Sequence, residues 1–431
     1  MEPIFMDLNV EKVNFVDGTI KAPASKSYSH RAFIAAALAE GQSVLRDPLY
    51  SEDTLATLEA CENLGALFQR YPDKCIVQGT AGYIRTPENV IDVKNSGTSV
   101  RILSSIAAIA PRANYTIFTG DESLRKRPMQ DLIDALGNLG VDIVSSQSNG
   151  TPPIIVKGGF DGGQTDINGS VSSQFISSII MAAPYSKNPV TLNVRGTFVS
   201  KPYVNMTLSV IKHFGIEFEY DTTNVPEYSS YYIEPQKYEC ADYTIEGDYS
   251  SASYMIALAA MMPGKVTIEN LYKDSMQGDK IIVDIVRKMG AKVTQTETTL
   301  TVDGDGNLEA FDIDLGDAPD LLPTVAILMA TANGTSHITG VEHARFKETD
   351  RVHNCAIELE NVGVDVEELR DGLIIKGSPT GGTVDSHMDH RMVMAFYILG
   401  LKIGDVKIKN ANCYDVSFPN FLEVMNDITK Q

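Results

Sequence analysis

The stretch Ala24-Ser25-Lys26-Ser27-Tyr28-Ser29-His30-Arg31 joins an extended lead-in ending at Pro23 to the apolar run 32–38. The pattern predicts a helix that opens with two cations. Unsatisfied backbone N–H groups and the positive end of a helix dipole point out of such a junction, which makes it suited to an anion. Ser27 and Arg31 are four apart and share a helical face, as do Lys26 and His30. Taken alone, the segment reads more readily as a capped surface helix with ordinary basic residues. Its recurrence decides between the two readings.

The same paragraph of sequence is written six times, at intervals of about 70 residues, longer than the usual solenoid period. Each copy begins with an apolar helix behind a polar cluster, predicted over 25–38, 95–110, 170–183, 248–262, 320–332 and 389–401. None has a broad polar face, so all six are expected to be buried. A second, amphipathic helix follows, and in five copies it ends at a glycine (Gly65, Gly140, Gly215, Gly290, Gly363) before a short apolar strand. Glycine there is a helix C-cap signal. With the β-rich runs between them, each unit reads as strand, helix, strand, helix, strand, strand. Six units give an α/β fold of two domains, each a threefold repeat packed around its own buried helices, with a ligand cleft expected between them. The division is placed near the polar stretch 239–243, giving residues 22–242 as one domain and 1–21 with 243–431 as the other. The strand material at 9–20 is expected to complete the C-terminal domain, and 221–230 reads as an inserted loop.

At 431 residues and 43% hydrophobic content the chain is too long for one small core. Five scattered cysteines without metal spacing suggest a reducing, cytoplasmic setting and no metal site. The first ten residues lack a basic region followed by an apolar run, and no uninterrupted apolar stretch suggests a membrane span. A formal charge of −20 argues against a nucleic-acid or anionic-membrane surface. An anionic ligand must therefore be held by local clusters of Lys and Arg.

Such clusters stand at the helix starts. Asn95-Ser96-Gly97-Thr98-Ser99-Val100-Arg101 supplies a glycine over which a ligand can approach the backbone, and an arginine on the first turns. Arg125-Lys126-Arg127-Pro128 sets three cations ahead of a helix-opening proline. Ser170-Val171-Ser172-Ser173-Gln174 and Ser200-Lys201-Pro202-Tyr203 add hydroxyls and an amide, while Asp248 reads as an N-cap. The sharpest segment is Lys347-Glu348-Thr349-Asp350-Arg351. Read as one helix, it puts Lys347 and Arg351 on the same face, which costs stability unless an anion lies between them. Asp389-His390-Arg391 opens the last buried helix with a cation and a potential general acid or base.

In order and spacing, SKSYSHR (25–31), NSGTSVR (95–101), RP (127–128), SVSSQF (170–175), SKPY (200–203), GDYSSASY (247–254), KETDR (347–351) and DHRM (389–392) resemble the 3-phosphoshikimate 1-carboxyvinyltransferase (EPSP synthase) family. The resemblance spans the chain. It implies two domains, each a threefold βαβαββ repeat around buried parallel helices, an inside-out α/β barrel. It also implies transfer of the enolpyruvyl group of phosphoenolpyruvate to the 5-hydroxyl of shikimate 3-phosphate, with no cofactor and no metal, by a monomer. Carried over residue by residue, Lys26, Ser27, Arg31, Ser172, Ser173, Gln174, Ser200 and Tyr203 are similar to the shikimate 3-phosphate ligands, joined by Asp320 and Lys347. Lys26, Asn95, Gly97, Arg127, Gln174, Arg351, His390 and Arg391 are similar to the phosphoenolpyruvate site. The resemblance makes Asp320, Lys347, Glu348 and Lys26 the catalytic set, with Asp320 as proton acceptor and Glu348 exchanging a proton with the methylene carbon. A lysine among other cations can also reach base range. The residues leave open which group takes the hydroxyl proton.

Three positions depart from the family pattern. Val416 replaces a lysine near the C-terminus, His343 an asparagine, and Ile102 a proline. Val416 is expected to weaken binding of phosphoenolpyruvate and of glyphosate, which competes for its pocket. The sister UDP-N-acetylglucosamine enolpyruvyl transferases carry a reactive cysteine ahead of an RP motif, and 115–128 contains none. A non-catalytic anion-binding relative would have little reason to retain Asp320, Lys347 and Glu348 together.

Overall fold

In the computed structural model, residues 6–221 and 228–430 are described. The six apolar helices form at Lys26–Leu38, Gly97–Ala107, Ser173–Ala182, Tyr249–Met261, Leu322–Thr331 and His390–Ile403. Their burial is close to complete, and every residue of Tyr249–Met261 is inside. A helix without a polar face can persist in water only in this way. The five glycines following the second helices all have positive φ, from 82° at Gly215 to 118° at Gly290. Each donates its N–H to the carbonyl three residues back, and the next N–H reaches five back, as in Gly65 to Glu62 and Ala66 to Cys61 at 3.0 and 3.1 Å. This double closure satisfies the last helical carbonyls and turns the chain into the following strand.

The chain divides into two compact units, Lys26–Ile245 and the pair Met1–Ser25, Glu246–Gln431. The first unit carries three four-stranded sheets of one design. Ile91–Asp92 runs parallel to Tyr115–Thr119, which pairs antiparallel with Ile154–Lys157, and Asp142–Ser145 closes the edge. Gly163–Asn168, Val190–Arg195, Tyr228–Ile233 and Glu219–Asp221 repeat that order. The inserted loop read at 221–230 falls partly on 222–227, outside the described residues, and its remainder lies mainly in the strand Tyr228–Ile233. In the third sheet the opening strand comes from the far end of the unit: Asp242–Thr244 lies parallel to Gln42–Arg46. The polar stretch 239–243, near which the sequence places the division, therefore contains part of an edge strand, and the compact unit runs to Ile245. Its exposed Asp242 and Arg46 are joined at 2.6 Å, so the polarity belongs to a sheet edge.

In the second unit the N-terminal strands fill two places. Val16–Lys21 pairs parallel with Pro263–Glu269 and opens one sheet, while Leu8–Val10 pairs antiparallel with Val406–Lys409 and closes another. Ile313–Asp314, Thr335–Thr339, Gly372–Lys376 and Asp365–Leu369 form the remaining four-stranded sheet.

Candidate active site

In the first unit the polar side chains at the helix starts hold one another. Lys26 Nζ reaches Asp53 Oδ2 at 2.9 Å, with the lysine side chain 14% exposed. Arg31 is buried and held by the fold. Its Nε donates to Thr207 Oγ1 at 2.7 Å, Nη1 to the Ser27 carbonyl at 2.9 Å and Nη2 to the Tyr203 carbonyl at 3.1 Å. It therefore ties the Lys26–Leu38 helix to Lys201–His213, and burial pushes its guanidinium down to about 10. Ser200, in the left-handed region at φ 55°, opens the latter helix, which begins Lys201-Pro202-Tyr203.

Asn95 lies between Arg127, which donates to its Oδ1 at 2.6 Å, and Asp121, which accepts from its Nδ2 at 2.7 Å. A Cβ at Gly97 would sit 2.8 Å from Arg127 Nη1, the end of a side chain that would have to shift to admit it. Ser172 caps Ser173–Ala182 by accepting the Gln174 N–H, and the Gln174 side chain is clamped by Arg101 Nη1 at 2.7 Å and Thr98 Oγ1 at 2.9 Å. Arg101 itself lies over the Phe175 ring. Ile102, fully buried, sits within the Gly97–Ala107 helix. Unlike proline, it supplies an N–H there.

In the second unit the centre is Asp320. Its Oδ1 lies 2.7 Å from Arg351 Nη1 and 3.4 Å from Lys347 Nζ, and its Oδ2 lies 3.0 Å from Arg391 Nη2. Arg351, with no exposed side-chain surface, also grips Asp389 at 2.7 Å and Glu348. Burial disfavours its charge, but Asp389, Glu348 and Asp320 offset that and hold it above its ordinary value. Lys347 is moved the other way. Burial lowers it, Asp320 opposes, and Arg351 adds to the lowering. His343 is buried beside it and pushed down to about 4, first by burial and then by Lys347. It is a neutral imidazole at pH 7. His390 is buried at the start of the last helix, where Asp389 accepts the Arg391 N–H at 2.9 Å and Arg391 Nη1 donates to Ser250 Oγ.

A model of the family described as EPSP synthase (3-phosphoshikimate 1-carboxyvinyltransferase) matches residues 10–425. The chain belongs to the EPSP synthase family. A 3-phosphoshikimate 1-carboxyvinyltransferase of Methanosphaera stadtmanae is 83% identical over 99% of this chain and 100% of its own length. One from Methanothermobacter thermautotrophicus is 52% identical over 98% of each. Among solved structures, EPSP synthase from Acinetobacter baumannii matches with a TM-score of 0.81 and 26% identity over 98% of both chains. The enolpyruvyl transferase NikO from Streptomyces tendae shares the fold at a TM-score of 0.77 and 16% identity, covering 98% of this chain and 97% of its own.

Set against this EPSP synthase membership, one local reading needs correction. The segment 347–351 is not a helical face. Lys347 follows the 3-10 turn Glu342–Phe346, and the helix starts only at Arg351, where Asp350 caps it by accepting the His353 N–H at 3.0 Å. A cap aspartate ahead of the first helical residue ends the helix there, so Lys347 and Arg351 meet through Asp320 and not along a ridge. The anion required between them is a carboxylate of the chain itself. Asp53, Thr207, Arg101, Asp389 and Ser250 were missed as partners of site residues. Arg101, Ser250 and Asp389 lie inside quoted motifs, but Asp53 and Thr207 carry no local signal, because only the tertiary fold brings them in. Val416 ends the 3-10 segment Ala411–Val416, partly exposed.

Proposed function

We propose that the chain transfers the enolpyruvyl group of phosphoenolpyruvate to the 5-hydroxyl of shikimate 3-phosphate, yielding 5-enolpyruvylshikimate 3-phosphate and phosphate. The observation that carries this reading is Asp320 held by Lys347, Arg351 and Arg391, within a chain of this family. In the addition step the 5-oxygen bonds to C2 of phosphoenolpyruvate, its proton passes to a base, and C3 takes up a proton. The tetrahedral product carries carboxylate, phosphate and the new ether on C2. In elimination the C2–O bond to phosphate breaks and C3 loses a proton, restoring the double bond. No electrons are exchanged with an outside partner.

We assign Lys347 to the hydroxyl proton, because burial and Arg351 favour its neutral form, and Asp320 to orienting the ring hydroxyls. Glu348, held by Arg351, exchanges the proton at C3. Arg351, Arg391 and His390, with Lys26, Asn95, Gly97, Arg127 and Gln174, would bind phosphoenolpyruvate. Ser27, Arg31, Ser172, Ser173, Ser200 and Tyr203 would hold the shikimate phosphate and ring. Fixed cations aimed at a carboxylate and two phosphates supply the electrostatic part of catalysis. The two compact units are taken as the two domains, in a cytoplasmic monomer. Phosphate release from phosphoenolpyruvate should depend strictly on shikimate 3-phosphate. Release without it, or with UDP-N-acetylglucosamine in its place, would refute the assignment.

A further inference from the structure

One face of the helix Glu52–Asn63 touches two of the junctions that the reading above gives to substrates in the first unit, the starts of the Lys26–Leu38 and Gly97–Ala107 helices. Asp53 holds Lys26 at 2.9 Å. One turn later, on the same face, the Thr57 hydroxyl lies 2.6 Å from His30 Nδ1 and 2.5 Å from Ser99 Oγ. Ser99 Oγ donates to Ser96 Oγ at 2.6 Å, and Ser96 caps the Gly97–Ala107 helix by accepting the Ser99 N–H. His30, Thr57 and Ser99 are 0% exposed and Ser96 1%, so the line runs through the interior from the SKSYSHR helix to the NSGTSVR helix.

The line has one direction. Each hydroxyl carries one proton. With Ser99 donating to Ser96, Thr57 must donate to Ser99, and His30 must donate to Thr57 from a protonated Nδ1. The imidazole can bear only that proton, since burial, then Lys26 and Arg31, hold it neutral. A helix N-terminus binds an anion only as well as its N–H groups are aimed, and Ser96 sets that aim.

We propose that Thr57, backed by the Nδ1–H of His30, is a positioning residue that fixes the Gly97 helix start against the Lys26 helix and thereby sets affinity for phosphoenolpyruvate. The inference rests on the assignment of Asn95, Gly97 and Arg127 to that substrate. Thr57→Val keeps the shape of the side chain and removes the hydroxyl, leaving His30 and Ser99 without their buried partner. The KM for phosphoenolpyruvate should rise about tenfold, that for shikimate 3-phosphate should stay within about twofold, and Thr57→Ser should restore the first. Gly97→Ala, which pushes a Cβ against Arg127, separates the two levels of the argument. If it leaves the phosphoenolpyruvate KM unchanged, the site assignment fails. If it raises that KM while Thr57→Val does not, or if Thr57→Val raises both KM values together, the positioning role fails. Should Thr57→Val not fold, His30→Asn, which retains a donor, is compared with His30→Leu, which has none. The same selective rise in the leucine variant alone supports the role, and equal values for the two overturn it.

Discussion

Residues of one type do different work here because their surroundings differ. Lys126 is 72% exposed and pairs with Glu122 one turn away, an arrangement worth little in water. Lys347 is tucked beside Asp320, with burial and Arg351 favouring its neutral form. Lys347→Ala should therefore lower kcat at least about a hundredfold, whereas Lys126→Ala should stay within about twofold. Steady-state rates at saturating substrates decide, and equal losses would remove Lys347 from the chemistry. His343 gives a second test. Its folded value of about 4 lies below the ordinary 6.5, so between those pH values the unfolded chain binds a proton that the folded one does not. The stability it contributes is full above pH 6.5 and lost as pH falls toward 4, by up to about 3 kcal/mol. Asp279, pushed up to about 7 by burial and then by Asp320, acts with the opposite sign, losing its contribution as pH rises from 3.8 toward 7. Comparison with His343→Asn isolates the histidine: the wild-type Tm should fall relative to the variant on acidification, and parallel curves would refute it. Val416 supplies no cation where the family pattern has one. Val416→Lys should tighten glyphosate inhibition about tenfold, and an unchanged inhibition constant would place position 416 away from the pocket.

At the scale of elements, the sequence was most legible where one residue type has one physical use. The glycines at 65, 140, 215, 290 and 363 mark the ends of second helices, and all five adopt the positive φ that ends a helix in this way. Charged segments were less legible. The run 347–351 has helical spacing, yet Asp350 stops the helix one residue before Arg351, and nothing local distinguishes a cap aspartate from one inside a helix. The motif marks Arg31 as a candidate ligand but says nothing of what holds it in place. Only the fold reveals that Thr207 and the Tyr203 carbonyl already engage it. The glycine reading has a direct consequence for stability. Gly290 has φ 118° with its nearest neighbour 3.5 Å from an added Cβ, so Gly290→Ala should cost about 1 kcal/mol through backbone conformation alone. Gly137, inside the Gln130–Asn138 helix with nothing within 4 Å, should behave oppositely, Gly137→Ala stabilising by about 0.5–1 kcal/mol. Urea midpoints that shift in the same direction would break the argument.

For the whole molecule, the two-unit organisation was readable because six similar paragraphs can be divided evenly. The exact boundary was not, because the edge strand Asp242–Thr244 is short and polar and is recognised only by its partner Gln42–Arg46. Charge sets the remaining problem. The chain carries −20 overall, and both proposed substrates are anions, so the long-range field opposes their approach and the local cations must dominate at short range. Those cations are divided: Lys26, Arg101 and Arg127 belong to one compact unit and Lys347, Arg351 and Arg391 to the other. A reaction that needs the shikimate phosphate held by the first set and its 5-hydroxyl presented to the second requires both units to engage one pair of ligands. Within each unit those cations already have partners, Lys26 in Asp53 and Lys347, Arg351 and Arg391 in Asp320, and ligands with two phosphates and two carboxylates would have to engage both sets at once. Shikimate 3-phosphate together with a phosphoenolpyruvate analogue should therefore reduce the radius of gyration in small-angle scattering, and either ligand alone should do so less. A radius unaffected by both ligands at saturation, confirmed by calorimetry on the same sample, would mean that the units do not close on the substrates, and the division of roles between them would have to be abandoned.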